Sequence, residues 1–189
     1  MKSVCIYCAS SPGARPEYAV AAEALARALA ARDVTIVYGG SSKGIMGRVA
    51  DAALAAGGRV IGVLPKSLVK KEIGHDGLHE LHIVSSMHER KAMMSELADG
   101  FIALPGGFGT LEEIIETITW AQLGFHSKPC GLLNVSGYFD ALRQFMAHAV
   151  SEGFIRREHH DILQVAESPD ELLAMFDVYT PPTIAKWRD

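Results

Sequence analysis

The sequence is short of several things, and each shortage removes a class of protein. It has no surplus of positive charge: 18 Lys and Arg against 22 Asp and Glu give a formal net charge of −4 over 189 residues, so no global attraction draws it to nucleic acid or to an anionic membrane. It has no long hydrophobic run. Stretches such as 18–31 are interrupted by Glu23 and Arg27, short of the roughly 18 uninterrupted apolar residues that a membrane span needs. Cysteine is scarce, with three residues in the chain; an odd number, two of them close together, does not make a disulfide framework. The opening residues, Met1-Lys2-Ser3-Val4-Cys5-Ile6-Tyr7, hold one cation and then a strand-like run without a small-residue cleavage site, unlike a secretory signal. No low-complexity tract occurs, and no repeat at a period of roughly 20 to 50 residues. These absences lead us to expect a cytoplasmic protein that partners neither nucleic acid nor membrane.

What is present is apolar content, 49% of the chain, with 21% charged residues, which suits one folded domain over residues 1–189 with a sizeable core. Short apolar runs alternate with helical patterns, the signature of parallel strands joined by crossover helices. The predicted strands are 3–7, 35–38, 59–64, 81–84, 100–104 and 130–133, and the predicted helices are 17–32, 45–56, 87–98, 111–122 and 139–152. The strands are mostly too apolar to have a wet face, so both faces of the sheet should be covered: a doubly wound, three-layer α/β/α arrangement. The segment 65–80 is the longest irregular stretch and a candidate flap. Residues 179–189 lack apolar periodicity and are expected to lie over the surface or a neighbouring subunit.

In doubly wound sheets, ligands sit beyond the carboxyl ends of the strands, which makes four loops informative: Cys8 to Gly13, Gly39 to Gly44, Ser85 to Lys91 and Pro105 to Thr110. The last, Pro105-Gly106-Gly107-Phe108-Gly109-Thr110, has glycines that let the backbone approach a ligand and leads into a helix whose free N–H groups attract anions. It reads as a phosphate cradle or, more simply, as a tight strand-to-helix turn. No Gly-Lys-Ser/Thr of a P-loop is present. Glu112 stands where the third glycine of a dinucleotide fingerprint belongs, and no ribose-binding acid follows Leu133-Asn134, so a mononucleotide fits better than NAD.

Glu113 has two readings. As the fourth residue of Thr110-Leu111-Glu112-Glu113 it completes a capping box; beside a phosphate site it is a carboxylate placed to stabilise an oxocarbenium-like centre or to activate water. Arg90 and Lys91 lie near the start of a helix, where the dipole disfavours cations. They are a solvated face with Glu89 and Glu96 as counter-charges, or a clamp for an anion. Cys5 and Cys8 have redox spacing, yet Cys5 falls in an apolar strand and reads as core. His75, Asp76, His79 and His82 lack the spacing of a metal site, and His159-His160 reads as surface.

These motifs resemble a known family. Pro105 to Glu113 is similar to the PGGxGTxxE signature of the LOG family, the cytokinin riboside 5′-monophosphate phosphoribohydrolases, once commonly mislabelled lysine decarboxylases. Met87-His88-Glu89-Arg90-Lys91 resembles their second motif and Tyr38 to Gly47 their glycine-rich second loop, with Ser41 where many members continue the glycine run. The similarity extends over about residues 3–155 and takes in Thr119-Trp120-Ala121-Gln122-Leu123-Gly124. It implies a Rossmann-like fold, a dimer, and hydrolysis of adenine-type nucleoside monophosphates to free base and ribose 5-phosphate, with no organic cofactor or metal.

Carried over by residue, the resemblance makes Arg90 and Glu113 the catalytic pair and Gly106, Gly107, Gly109 and Thr110 the phosphate-binding turn. Lys91, Met87, Ser10, Gly40, Glu72 and Thr119 become substrate-binding positions. AMP and prenylated AMP are the implied substrates, and the helices at Met87 and Leu111 are candidates for a two-fold interface that sets the site between subunits. A non-catalytic nucleotide-binding or carrier module on the same fold would share the glycine loops but has no use for Glu113. Nothing marks the Schiff-base lysine of a pyridoxal phosphate decarboxylase.

Overall fold

Strands that are apolar at successive positions need cover on both faces. The computed structural model describes residues 1–69 and 74–182 and provides that cover with a single parallel sheet. In chain order the elements are β1 (Ser3–Tyr7), α1 (Pro16–Ala31), β2 (Thr35–Tyr38), α2 (Gly44–Ala55), β3 (Val60–Pro65), β4 (Glu80–Val84), α3 (Met87–Leu97) and β5 (Phe101–Ala103). They continue with α4 (Phe108–Gln122), β6 (Cys130–Leu133), α5 (Asp140–Ser151), α6 (Arg157–His160), β7 (Leu163–Ala166) and α7 (Pro169–Asp177). The strand order is β4-β3-β2-β1-β5-β6-β7. The chain winds outward from β1 to β4, crosses back, and winds outward again from β5, so the switch point lies between β1 and β5.

The alternation along β1 shows how the layers form. Val4 and Ile6 face a core filled by Leu25 and Leu29 of α1, Val49 of α2 and Leu172 of α7. Cys5 and Tyr7 face the other way, into a core holding Met94 of α3 and Ile114 of α4. This is the three-layer, doubly wound α/β architecture. All three cysteines are free and buried, and burial alone pushes the Cys130 thiol up to about 12.

Six predicted strands occur within about a residue of their expected ends, and the five predicted helices occur with α4 starting three residues early. The region after Glu152 differs more. It adds α6, the edge strand β7 and α7, the last introduced by a capping box in which Ser168 Oγ accepts the Glu171 amide. His159, expected on the surface, is 4% exposed, because its ring packs under α4 with Nδ1 3.1 Å from Gln122 Nε2. In the stretch 65–80, the chain turns at Lys66–Leu68 and Gly74 bridges to Ser41. Glu72 and residues 183–189 lie outside the described residues. Pro181 and Pro182 wall a hollow with Phe125.

The sheet's carboxyl edge is tied together by backbone. Ile45 and Met46, at the start of α2, donate their N–H groups to Ser11 O (3.4 Å) and Ala9 O (3.1 Å). The loop after β1 thereby caps α2. Gly44 permits this contact: it sits at φ +56°, and a Cβ there would run into the Ser10 carbonyl.

Candidate active site

At the carboxyl edge, a cleft of about 350 Å³ opens between the loop after β1 (Cys8 to Ser11), the first turn of α3 (Met87, Arg90) and the first turns of α4 (Gly107, Gly109, Thr110, Glu112, Glu113). A second hollow of about 270 Å³ adjoins it across Ser11 and Gly107 and is walled by Tyr18, Ile45 and Tyr138. Each alone is near the lower end of small-ligand sites, and together they have the size of a nucleotide site.

The α4 end of the cleft is an anion site by construction. Helix α4 begins at Phe108 with Gly107 as N-cap, and Gly107 has no side chain to cap it. The first helical bond runs from Leu111 N to Gly107 O (3.1 Å), so the Phe108, Gly109 and Thr110 amides have no intrahelical partner and stand at the positive end of the dipole. Gly106 packs so closely on Thr110 that any Cβ would strike its hydroxyl. Tyr138 Oη holds the turn from outside by donating to Gly106 O (2.7 Å). Tyr138 carries no motif that would have revealed this in the sequence.

The early start of α4 overturns the capping-box reading of Thr110 and Glu113. Thr110 is already in the first turn, so Glu113 falls in the second and points to α3. Arg90 Nη1 donates to Glu113 Oε1 at 2.8 Å, with the two side chains 7% and 8% exposed. Arg90 Nε donates to Val63 O within β3 (3.1 Å), which fixes the guanidinium fork. The solvated-face reading of Arg90 fails with it. Glu89 is no counter-charge either: it caps α3 in a box with Ser86, whose Oγ accepts the Glu89 amide (3.1 Å), while its own carboxylate accepts the Ser85 amide (2.7 Å).

Lys91 faces α4 as well, but its ammonium lies between Glu112 (2.6 Å) and Glu116 (2.9 Å) and is 12% exposed. The anions that make cations acceptable near the start of α3 are therefore carboxylates of this same chain. Ser10, Met87, Gly107, Gly109 and Thr110 line the cleft with Arg90 and Glu113, and Gly106 lines the adjoining hollow. Thr119 is elsewhere. It is more than two turns along α4, donates Oγ1 to Ile115 O (2.8 Å), and lines a separate hollow of about 110 Å³ with Met146 and His159.

Gly40 packs toward Leu64 and Leu81 at φ +78°. The glycine that serves the site is its neighbour Gly39, where a Cβ would stand 2.5 Å from Arg90 Nη2 and 2.8 Å from Met46 Sδ. Gly39→Ala is expected to shift the guanidinium and lower turnover about tenfold; wild-type kcat in this variant would show that the fork has room to spare. Ser41, in place of a further glycine, is fully buried, and its Oγ accepts the Lys43 amide (3.1 Å), a turn-forming contact that glycine lacks.

The sequence model of a family described as "Possible lysine decarboxylase" matches residues 46–176. The chain is 48% identical over 180 residues to the cytokinin riboside 5′-monophosphate phosphoribohydrolase LOG of Oryza sativa subsp. japonica, covering 95% of this chain and 74% of that protein. It is 48% identical over 180 residues to LOG7 of Arabidopsis thaliana, of the same description, covering 95% and 83%. Among solved structures, a molybdenum cofactor binding protein from Rippkaea orientalis shares the fold with a TM-score of 0.70 at 21% identity, over 94% of this chain and 96% of that one. That likeness concerns architecture alone, since one fold hosts many functions. Near one-half identity across almost the whole chain is a closer relation: the chain belongs to the LOG family, the cytokinin riboside 5′-monophosphate phosphoribohydrolases.

Proposed function

We propose that this chain hydrolyses the N-glycosidic bond of adenine-type nucleoside 5′-monophosphates, AMP and N6-prenylated AMP, to free base and ribose 5-phosphate. The observation that carries the reading is the buried Arg90–Glu113 pair (2.8 Å) in the same cleft as the uncapped first turn of α4. The helix amides receive the 5′-phosphate, and the ribose then lies over the second turn, beside Glu113. As the bond from C1′ to the base nitrogen breaks, the bonding pair leaves with the base, which gains a proton from solvent. The oxygen of water bonds to C1′ and sheds one proton to solvent, which balances the proton gained by the base. Glu113 stabilises the positive charge that develops on the ribosyl ring and orients the water, and Arg90 offsets the phosphate charge close to that carboxylate.

The protein acts as a cytoplasmic homodimer on this reading; among the described residues no helix is long and apolar enough to cross a membrane. Supporting a dimer, α5 buries none of its residues in the single chain, and Phe145 and Phe154 are 65% and 86% exposed, an apolar face for a second copy to cover. Thr119 lies beside Met146 of that helix, so it would meet substrate only across such an interface.

The test is quantification of free base after incubation with AMP and with N6-prenylated AMP. Release of base with an equal amount of ribose 5-phosphate is expected. Saturable nucleotide binding without base release would instead mark a carrier module.

A further inference from the structure

Beneath Glu113, on the side away from the cleft, lies a buried polar chain that the reaction scheme leaves unused. Thr117 is one turn further along α4 and 2% exposed, and Tyr7 ends β1 and is 4% exposed. Thr117 Oγ1 is 2.8 Å from the Glu113 carbonyl oxygen, and Tyr7 Oη is 3.0 Å from Thr117 Oγ1. The proton order is determined. A carbonyl only accepts, so the Thr117 hydroxyl spends its one proton on Glu113 O, and the second contact must run from Tyr7 O–H to Thr117 Oγ1. Burial raises the Tyr7 phenol well above its ordinary range, which keeps that donor protonated at any working pH.

The same turn is held from a second direction. His126 Nε2 donates to Thr117 O (3.0 Å), while its Nδ1 accepts the Lys128 amide (3.1 Å), which defines the tautomer. An ordinary helix needs none of this; a threonine bonding back to the carbonyl four residues earlier tends to bend a helix rather than strengthen it. Here the back-bond is fed by a tyrosine of the central strand. It joins the turn carrying Glu113 to β1, as the Val63 carbonyl joins Arg90 to β3.

We infer that Tyr7 and Thr117 are positioning residues for Glu113: their hydrogen-bond chain sets the height of the Glu113 turn over the sheet and so aims its carboxylate at the cleft. The inference rests on the reading of Glu113 as the catalytic carboxylate. The relay touches no substrate, so its loss lowers kcat and leaves KM for AMP unchanged.

The decisive comparison is between Thr117→Val, Thr117→Ser and the double variant Tyr7→Phe/Thr117→Val, each assayed for kcat, KM and melting temperature. Thr117→Val removes the hydroxyl and leaves the Tyr7 hydroxyl with only the weak Cys5 thiol beside it, so both stability and kcat fall, the latter about tenfold. Thr117→Ser keeps the hydroxyl and is expected within about twofold of wild-type kcat, since a misplaced catalytic group costs far more. In the double variant both partners are apolar, so the melting temperature recovers to within about 2 °C of wild type while kcat stays about tenfold low. Recovery of kcat along with stability overturns the inference, because the pair would then serve folding alone. A Glu113→Gln control separates the two levels. Full turnover in that control removes the catalytic role of Glu113, whereas an inactive control beside wild-type turnover in Thr117→Val sinks only the relay.

Discussion

Glu113→Gln is expected to lose about 10³-fold in kcat, equivalent to roughly 4 kcal/mol of transition-state stabilisation, while binding AMP at least as tightly as the wild type. The two halves of this result have one cause. Glutamine matches the shape of glutamate and still offers an oxygen to Arg90 Nη1, now 2.8 Å from Glu113 Oε1, but it has no charge to set against a cationic ribosyl centre. Removing that charge also removes its repulsion toward the phosphate and frees Arg90 to pair with the ligand. Calorimetric titration of AMP and a base-release assay on the same preparation check both halves. Retained turnover, or binding weakened in step with turnover, would contradict the assignment.

Arg90→Ala has the second large effect, and it falls on stability as well as activity. The guanidinium is 7% exposed and faces a carboxylate that is 8% exposed, so its removal breaks a buried ion pair, a loss of about 3–5 kcal/mol. The Val63 carbonyl, part of a fully buried strand, loses its donor in the same step. For a chain of this size the melting temperature should drop by roughly 10 °C. Adding Glu113→Ala to Arg90→Ala should return part of that drop without restoring activity, because the buried carboxylate is then removed together with its cation. A single variant that melts within about 2 °C of wild type would contradict a stabilising role for the pair.

β1, β2, β3, β5 and β6 are legible because each is a mostly apolar run that needs cover on both faces, whereas β4, at the sheet edge, is legible from Leu81, Ile83 and Val84 although Leu81 and Ile83 stay exposed. β7 is not: Leu163-Gln164-Val165-Ala166 is interrupted by a polar residue and only its last residue is buried, so the local pattern resembles a loop. The sequence does carry a capping signal for α7 in Ser168-Pro169-Asp170-Glu171. His159 illustrates the opposite difficulty, since its burial comes from Gln122, distant in sequence.

The site was legible in residue type and partly misread in geometry. Arg90, Glu113 and the Gly106 to Thr110 turn stand together around the cleft and its adjoining hollow. The partner of Arg90 could not be read locally, because a glycine N-cap leaves no side-chain signature and thereby hides where α4 begins. The partners of Lys91, Glu112 and Glu116, are 21 and 25 residues away in sequence and equally hidden from a local reading. The run Gly39-Gly40 announced a close approach without saying which glycine made room, and for what.

On the proposed function, this cleft uses the 5′-phosphate to hold a nucleotide while Glu113 and Arg90 cleave its glycosidic bond. The most direct measurement compares base release from AMP and N6-prenylated AMP with release from the corresponding nucleosides, which lack the phosphate. The account predicts base and ribose 5-phosphate in equal amounts from the monophosphates and little or no base from the nucleosides. Equal release from nucleosides, or none from either monophosphate, would contradict it.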